Sequence, residues 1–233
     1  LMAVGSFRVR PRRRGLIAPS LGVLVTVFAN GIVGGMAVRG DLHPVLVQSH
    51  FLLAMASIAF ALVAVRRSGR AEDVSVRVAG LRLAFWGVGV LTAMALVTGT
   101  VVTGTGPHAG EEDVRRFGFD ISSVAQLHSV TVLVTVALFV ALAVALGRTG
   151  HRARFEQALS AWMFVAVVQG LIGYVQYFNG VPELLVGAHL VGATALWVMT
   201  VQLLLDGLGS GASAPPPAGD AGHGQLVGAS APR

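Results

Sequence analysis

The stretch GTGPHAGEEDVRRFGFDISSVAQLHSV (residues 104–130) divides two long apolar runs with a polar connection, then sets Gln126 and His128 a few residues inside the second run. Around it, six stretches carry no Asp, Glu, Lys or Arg: 16–38, 44–65, 83–105, 121–147, 157–178 and 184–205. Each is long enough, at about 1.5 Å per helical residue, to cross a hydrocarbon core of roughly 30 Å. Across the 233 residues 54% are hydrophobic and 12% charged, and the mean hydropathy is +0.73. A soluble domain of this make-up would lack the polar surface to cover itself. The sequence predicts an all-α membrane protein with six transmembrane helices.

Charge orients the chain. All 17 basic residues are Arg, and they crowd alternate connections: Arg8, Arg10, Arg12, Arg13 and Arg14 in the leader, Arg66, Arg67, Arg70, Arg77 and Arg82 between spans two and three, and Arg148, Arg152 and Arg154 between spans four and five. The opposite connections hold Arg39, Arg115 and Arg116. The positive-inside rule then predicts a multi-pass protein of the cell membrane with both termini cytoplasmic and the PHAG loop outside. This distribution, rather than the net charge of +6, argues for membrane lipid and against nucleic acid as a partner. There is no cysteine, which excludes disulfides, thiolate metal sites and iron–sulfur clusters. The leader is not a cleavable signal, because the run after it is a full span with no clear small-residue cleavage site. The Gly-, Ala-, Pro- and Ser-rich end reads as a disordered tail.

The chain repeats itself. NGIVGGMAVRGDLHPVLVQSH (30–50) aligns without a gap on QGLIGYVQYFNGVPELLVGAH (169–189). In both, an amide precedes Gly, another Gly follows three residues on, and His closes the segment. Gly31 to His50 and Gly170 to His189 are each 19 residues; Gly99 to His128 is 29, the extra ten falling in the PHAG loop. Each unit reads as a helical hairpin returning with a His. Small residues near its outer end (Gly31 and Gly35, Thr98 and Gly99, Gly170 and Gly173) are expected to let the helices approach closely.

The domain reading follows: a basic leader (1–15), a helical hairpin (16–65), a cytoplasmic loop (66–82), a four-helix unit (83–205) and the tail (206–233). Hairpin 16–65 matches hairpin 157–205 best, which suggests two pseudo-symmetric four-helix bundles and eight spans in all. The counterpart of the PHAG hairpin would precede residue 1, and the chain starts with Leu. Two further spans are therefore expected upstream.

His50, His128 and His189 are the histidines inside spans, each six to eight residues, or about 9–12 Å, past an outer boundary. One such His could simply bond a neighbouring helix; three at one depth point to cofactor ligands. Zinc or copper would take three imidazoles, but no acidic or thiol ligand accompanies them within the spans. Haem takes an axial His from each of two helices with an apolar slot between. His128 and His189 fall in one four-helix unit and can form that pair, leaving His50 unpaired. The second hydrogen bond that must orient each imidazole is not evident. Gln126 and Gln48, two residues before a His, point to another helix face.

VTGTVVTGTGPHAG (97–110), VAQLHSV (124–130), QGLIGYVQYFNGVP (169–182) and VGAHLVGA (186–193) together resemble the haem A synthase family over most of 16–206. The resemblance implies two four-helix halves. The C-terminal half holds haem b between two His, here His128 and His189. The N-terminal half takes haem O and oxidises a ring methyl to the formyl group of haem A for terminal oxidase assembly; His50 matches the second His there. The catalytic residue stays unassigned, because the family's acidic loop residue and the other His of that pair would lie upstream of residue 1. The resemblance thus bears on the family more than on the activity of this polypeptide by itself. Haem O synthase and oxidase subunits would be its partners, and a homo-oligomer is compatible with it. Arg39, His108, Arg115 and Arg116 lie on the side where haem propionates would emerge, though a plain surface role accounts for them more simply. The rival reading is a bis-His cytochrome b that passes electrons without modifying haem. A proton-coupled transporter would stagger its His in depth.

The orientation is testable by labelling. With an impermeant thiol reagent, Ala109→Cys is expected to react from outside and Ser68→Cys from inside; the reverse pattern contradicts the arginine argument.

Overall fold

The structure, a computed structural model, describes residues 14–68, 78, 80–107 and 113–209. Most of the basic leader, residues 69–77 and 79 of the 66–82 connection, the PHAG apex with His108, and the tail from residue 210 lie outside the described residues. The described chain is helical throughout, with no strand. Its six helices are α1 (Arg14–Arg39), α2 (Pro44–Ser68), α3 (Arg82–Thr105), α4 (Ile121–Arg148), α5 (Arg152–Phe178) and α6 (Glu183–Leu208). All six are long and apolar enough to span a membrane. They follow the charge-free runs closely. α5 departs most, starting at Arg152 and carrying Arg152, Arg154 and Glu156 in its opening turns. Backbone hydrogen bonding continues past the apolar limit there, and the charged side chains of an end turn reach the polar interface.

The repeat persists in the backbone. After α1, Asp41 and Leu42 take φ of 50° and 51°; after α5, Gly180 and Val181 take φ of 74° and 60°. These are equivalent positions in the alignment. Their bonds match in turn: Leu42 N donates to Ala37 O at 2.9 Å and Val181 N to Gln176 O at 2.7 Å. Gly40 N likewise reaches Met36 O, and Asn179 N reaches Val175 O. Left-handed backbone is costly for Leu and Val, so two such turns at the same register mark one hairpin design used twice.

Helices α3 to α6 close a ring in which α3 touches α4 and α6, while α5 touches α4 and α6. α4 and α6 lie diagonally, with no Cα pair within 8 Å among the described residues. α1 contacts α2 alone, and α2 docks the first hairpin on α3 and α6. That docking uses the Trp197 indole N–H, which donates to the Met55 carbonyl at 2.9 Å, and an Arg66–Asp206 ion pair at the opposite end from the 40–43 and 179–182 turns. We call the end bearing those turns distal, and the other proximal.

The bundle core fills one end. Phe139 stacks on Trp162 with ring centroids 3.8 Å apart, and the Trp162 indole donates to Thr200 Oγ1 at 2.8 Å. Phe85, Val88, Leu142, Leu146, Phe155 and Leu203 complete the buried cluster. All of these lie toward the proximal end. Distally the packing loosens: no residue is buried on α4 before Thr131, on α5 after Gln169, on α6 before Thr200, or on α3 from 93 to 103.

The distal start of α4 is fixed by Asp120. Its carboxylate accepts from Ser123 N and Ser123 Oγ at 2.8 Å each, and from the Ser122 hydroxyl. These donors, the Ser122 hydroxyl foremost, hold the carboxyl down at about 2. A carboxylate depressed on folding stabilises the native state above its unfolded pKa, and that contribution goes as pH falls through the folded value. The gap in thermal midpoint between wild type and Asp120→Ala is therefore expected to be full above about pH 4 and to close as pH falls to about 2. A gap unchanged across that interval would contradict the capping role.

Candidate haem-binding site

His50, His128 and His189 stand on α2, α4 and α6, the returning helix of each hairpin. Among the described residues no three of His, Cys, Asp and Glu converge, so the three histidines do not make a single three-ligand site. His50 belongs to the first hairpin. His128 and His189 stand on the diagonal helices of the ring. Both occupy the distal part of the bundle, where the helices are not packed shut.

Each imidazole sits on a glycine of its partner helix. A Cβ on Gly34 would lie 2.9 Å from His50 Cε1, one on Gly99 would lie 3.1 Å from His128 Cε1, and one on Gly173 would lie 3.3 Å from His189 Cε1. A side chain at Gly34 would force the ring to shift, and one at Gly99 or Gly173 would need it to give by a few tenths of an ångström. The seat in the first hairpin corrects the expectation from sequence. An added Cβ at Gly31, Gly35 or Gly170 would meet nothing within 4 Å, so these three are not contact glycines. A helix turns about 100° per residue, so one position separates a seat from an open face.

The seats differ in what each ring nitrogen meets on the partner helix. His50 Nδ1 lies 3.1 Å from Asn30 O. A carbonyl only accepts, so Nδ1 carries the proton and Nε2 keeps its lone pair for a ligand. His128 Nδ1 lies 3.0 Å from Thr98 Oγ1. The single Thr98 hydroxyl proton has its own carbonyl acceptors, Met94 O at 3.0 Å and Ala95 O at 3.2 Å. Thr98 Oγ1 then accepts from His128 Nδ1–H, and Nε2 is again left bare. Asn30 and Ala95 each precede the seat glycine by four residues, and Gln169 holds the equivalent place before Gly173. In the third hairpin Gln169 Nε2 donates to the His189 carbonyl at 2.8 Å, while His189 Nδ1 has no protein partner.

Sequence reasoning missed Thr98 as a hydrogen-bond partner and Gln169 altogether as a site residue. The signal for Gln169 was present, since an amide occupies the same repeat position in both outer hairpins. Gln126 is exposed and away from the bundle interior. Gln48 does not touch a His; it lines a small apolar cavity of about 110 Å³ with Pro44, Val47, Phe51, Thr100 and Leu190, where the first hairpin meets the bundle. Arg39 and Arg115 are exposed. Arg116 donates to Gly106 O, and Phe117 N donates to Gly104 O at 2.9 Å, which ties the returning part of the loop to the end of α3. No family model matches the chain, and no curated protein matches it.

The seats separate two classes of glycine by experiment. Gly34→Ala must displace the His50 ring and is expected to cost about 1–3 kcal/mol, partly offset by about 1 kcal/mol of helix propensity. Gly31→Ala meets open space and is expected to be neutral or stabilising by up to about 1 kcal/mol. Comparison of thermal midpoints checks the order; a more damaging Gly31→Ala would contradict the seat.

Proposed function

We propose that the chain is a haem-binding membrane oxidoreductase of the haem A synthase type. One observation carries the reading: two seated imidazoles on diagonal helices, in the part of the bundle that the apolar core does not fill. A flat macrocycle with two axial ligands needs a slot of that kind. The donor set fits haem b. His128 and His189 are neutral-type imidazole ligands, and the proton assignment at His128 presents Nε2 to a metal. Val-, Ala- and Gly-rich walls suit an apolar ring.

On this reading the resident haem supplies one-electron redox chemistry. The chain's own residues position it. Thr98 fixes the His128 tautomer, Gly99 and Gly173 set the ring planes, and α3 and α5 hold the two ligand helices apart. Conversion of a haem O methyl to formyl adds one water and removes four electrons and four protons, passing through two hydroxylation levels at one carbon. His50, with Nε2 free in the first hairpin, would hold the substrate or product haem. The resemblance of GPHAG, VQYFNGVP and the spaced histidines to that family supports the assignment of substrate. It also implies the cell membrane as location, with haem O synthase or oxidase subunits as partners.

A second reading is a bis-His cytochrome b that carries electrons only. The observation favouring it is that the facing pair lies wholly within α3–α6, whereas His50 is exposed.

Purified protein is expected to give a pyridine haemochrome of b type at about one per chain, lost in His128→Ala and in His189→Ala and kept in His50→Ala. Equal loss in all three variants would mean that the wrong helices are paired. Formyl-bearing haem, detected by mass spectrometry in membranes supplied with haem O, separates the synthase from the cytochrome.

A further inference from the structure

Gln169 is buried in the span region, 8% exposed, and its amide is half used. Nε2 donates to the His189 carbonyl at 2.8 Å, but Oε1 is buried with no partner. His189 Nδ1 is also buried with no partner. An orphaned acceptor and an orphaned donor on adjoining turns of one helix pair are costly in a bilayer unless they serve each other or a shared group.

The sister hairpins each give the imidazole a partner on the outgoing helix. His50 Nδ1–H meets the carbonyl four residues before its seat glycine, Asn30 O at 3.1 Å, and His128 Nδ1 lies 3.0 Å from Thr98 Oγ1, one residue before its seat. The residue four before Gly173 is Gln169, whose side chain carries a free acceptor. Gln176, three residues after Gly173, also has a buried Oε1 with no partner, but it is the Gln169 amide that is bonded to the backbone of His189. The Gln169 amide fits because α6 has Gly192 there: a Cβ at that position would lie 2.3 Å from Oε1. The side chain thus fills a notch one turn inward of His189, against the same stretch of α6 that carries the ligand.

We propose that Gln169 is the positioning residue of His189, holding its backbone through Nε2 and offering Oε1 as the acceptor for Nδ1–H when Nε2 binds iron. The inference rests on the haem reading above. An imidazole whose N–H is bonded to an acceptor is a stronger donor to the metal, which favours the ferric state and lowers the reduction potential. The two imidazoles would then be oriented by different groups, Thr98 for His128 and a side-chain amide for His189.

The test uses the full chain purified with its haem, read by potentiometric titration and low-temperature electron paramagnetic resonance. Gln169→Leu is expected to keep haem but raise the potential, with roughly a threefold to tenfold shift toward ferrous haem at fixed potential, tenfold being about 59 mV for one electron. Its low-spin signal should broaden as the His189 ring loses a fixed plane. Gln169→Glu, which restores an acceptor, should return the potential to the wild-type value or below it, and Gln176→Leu should leave it unmoved. If Gln169→Leu does not fold, Gln169→Met is read in its place against Gln169→Glu. A wild-type potential and signal in the apolar variant, or an equal shift in Gln176→Leu, would overturn the proposal. Absence of haem from the wild type, or its survival in His189→Ala, would instead overturn the haem reading itself.

Discussion

Each hairpin closes an imidazole of its returning helix on a glycine of its outgoing helix, and the rest of the structure is arranged around that contact. The absent Cβ does two things at once. It lets the ring lie within about van der Waals reach of the backbone, and for His50 and His128 it brings Nδ1 to a carbonyl or hydroxyl of the partner helix. A side chain at Gly34 or Gly99 would crowd the ring and disturb that bond. In lipid, where apolar burial gives no drive for helices to associate, such close contacts and interhelical hydrogen bonds specify which faces meet.

From that contact the bundle acquires two unlike ends. Proximally, Phe139, Trp162, Phe85 and Leu203 pack a closed core. Distally, fewer side chains are buried, and the contacts there include the imidazoles seated on Gly99 and Gly173. α2 links the first hairpin to this frame through Trp197 and Asp206 on α6, so His50 and His189 stand on helices that are bonded to each other.

Much of the architecture was legible in the sequence because the bilayer sets a single length scale. Charge-free runs located six spans, and the 30–50 and 169–189 alignment anticipated turns that match bond for bond. His128 and His189 fall on diagonal helices of one four-helix ring. The facing of individual residues was not legible. These helices are apolar all round, toward lipid and toward protein alike, so periodicity does not mark an inner face. Gly31 and Gly35 looked equivalent to Gly34 for that reason, and only packing distinguishes them. Thr98 and Gln169 were hidden in the same way. A hydroxyl or amide in a span reads as a packing residue until the neighbouring helix shows which atom it meets.

The central claim is that two histidines on diagonal helices hold one haem. Near-infrared magnetic circular dichroism of the oxidised, purified chain reports both axial ligands together. The account predicts the charge-transfer band of a low-spin ferric haem with two imidazole nitrogens. A histidine–methionine band, a high-spin five-coordinate spectrum, or no haem signal would contradict it.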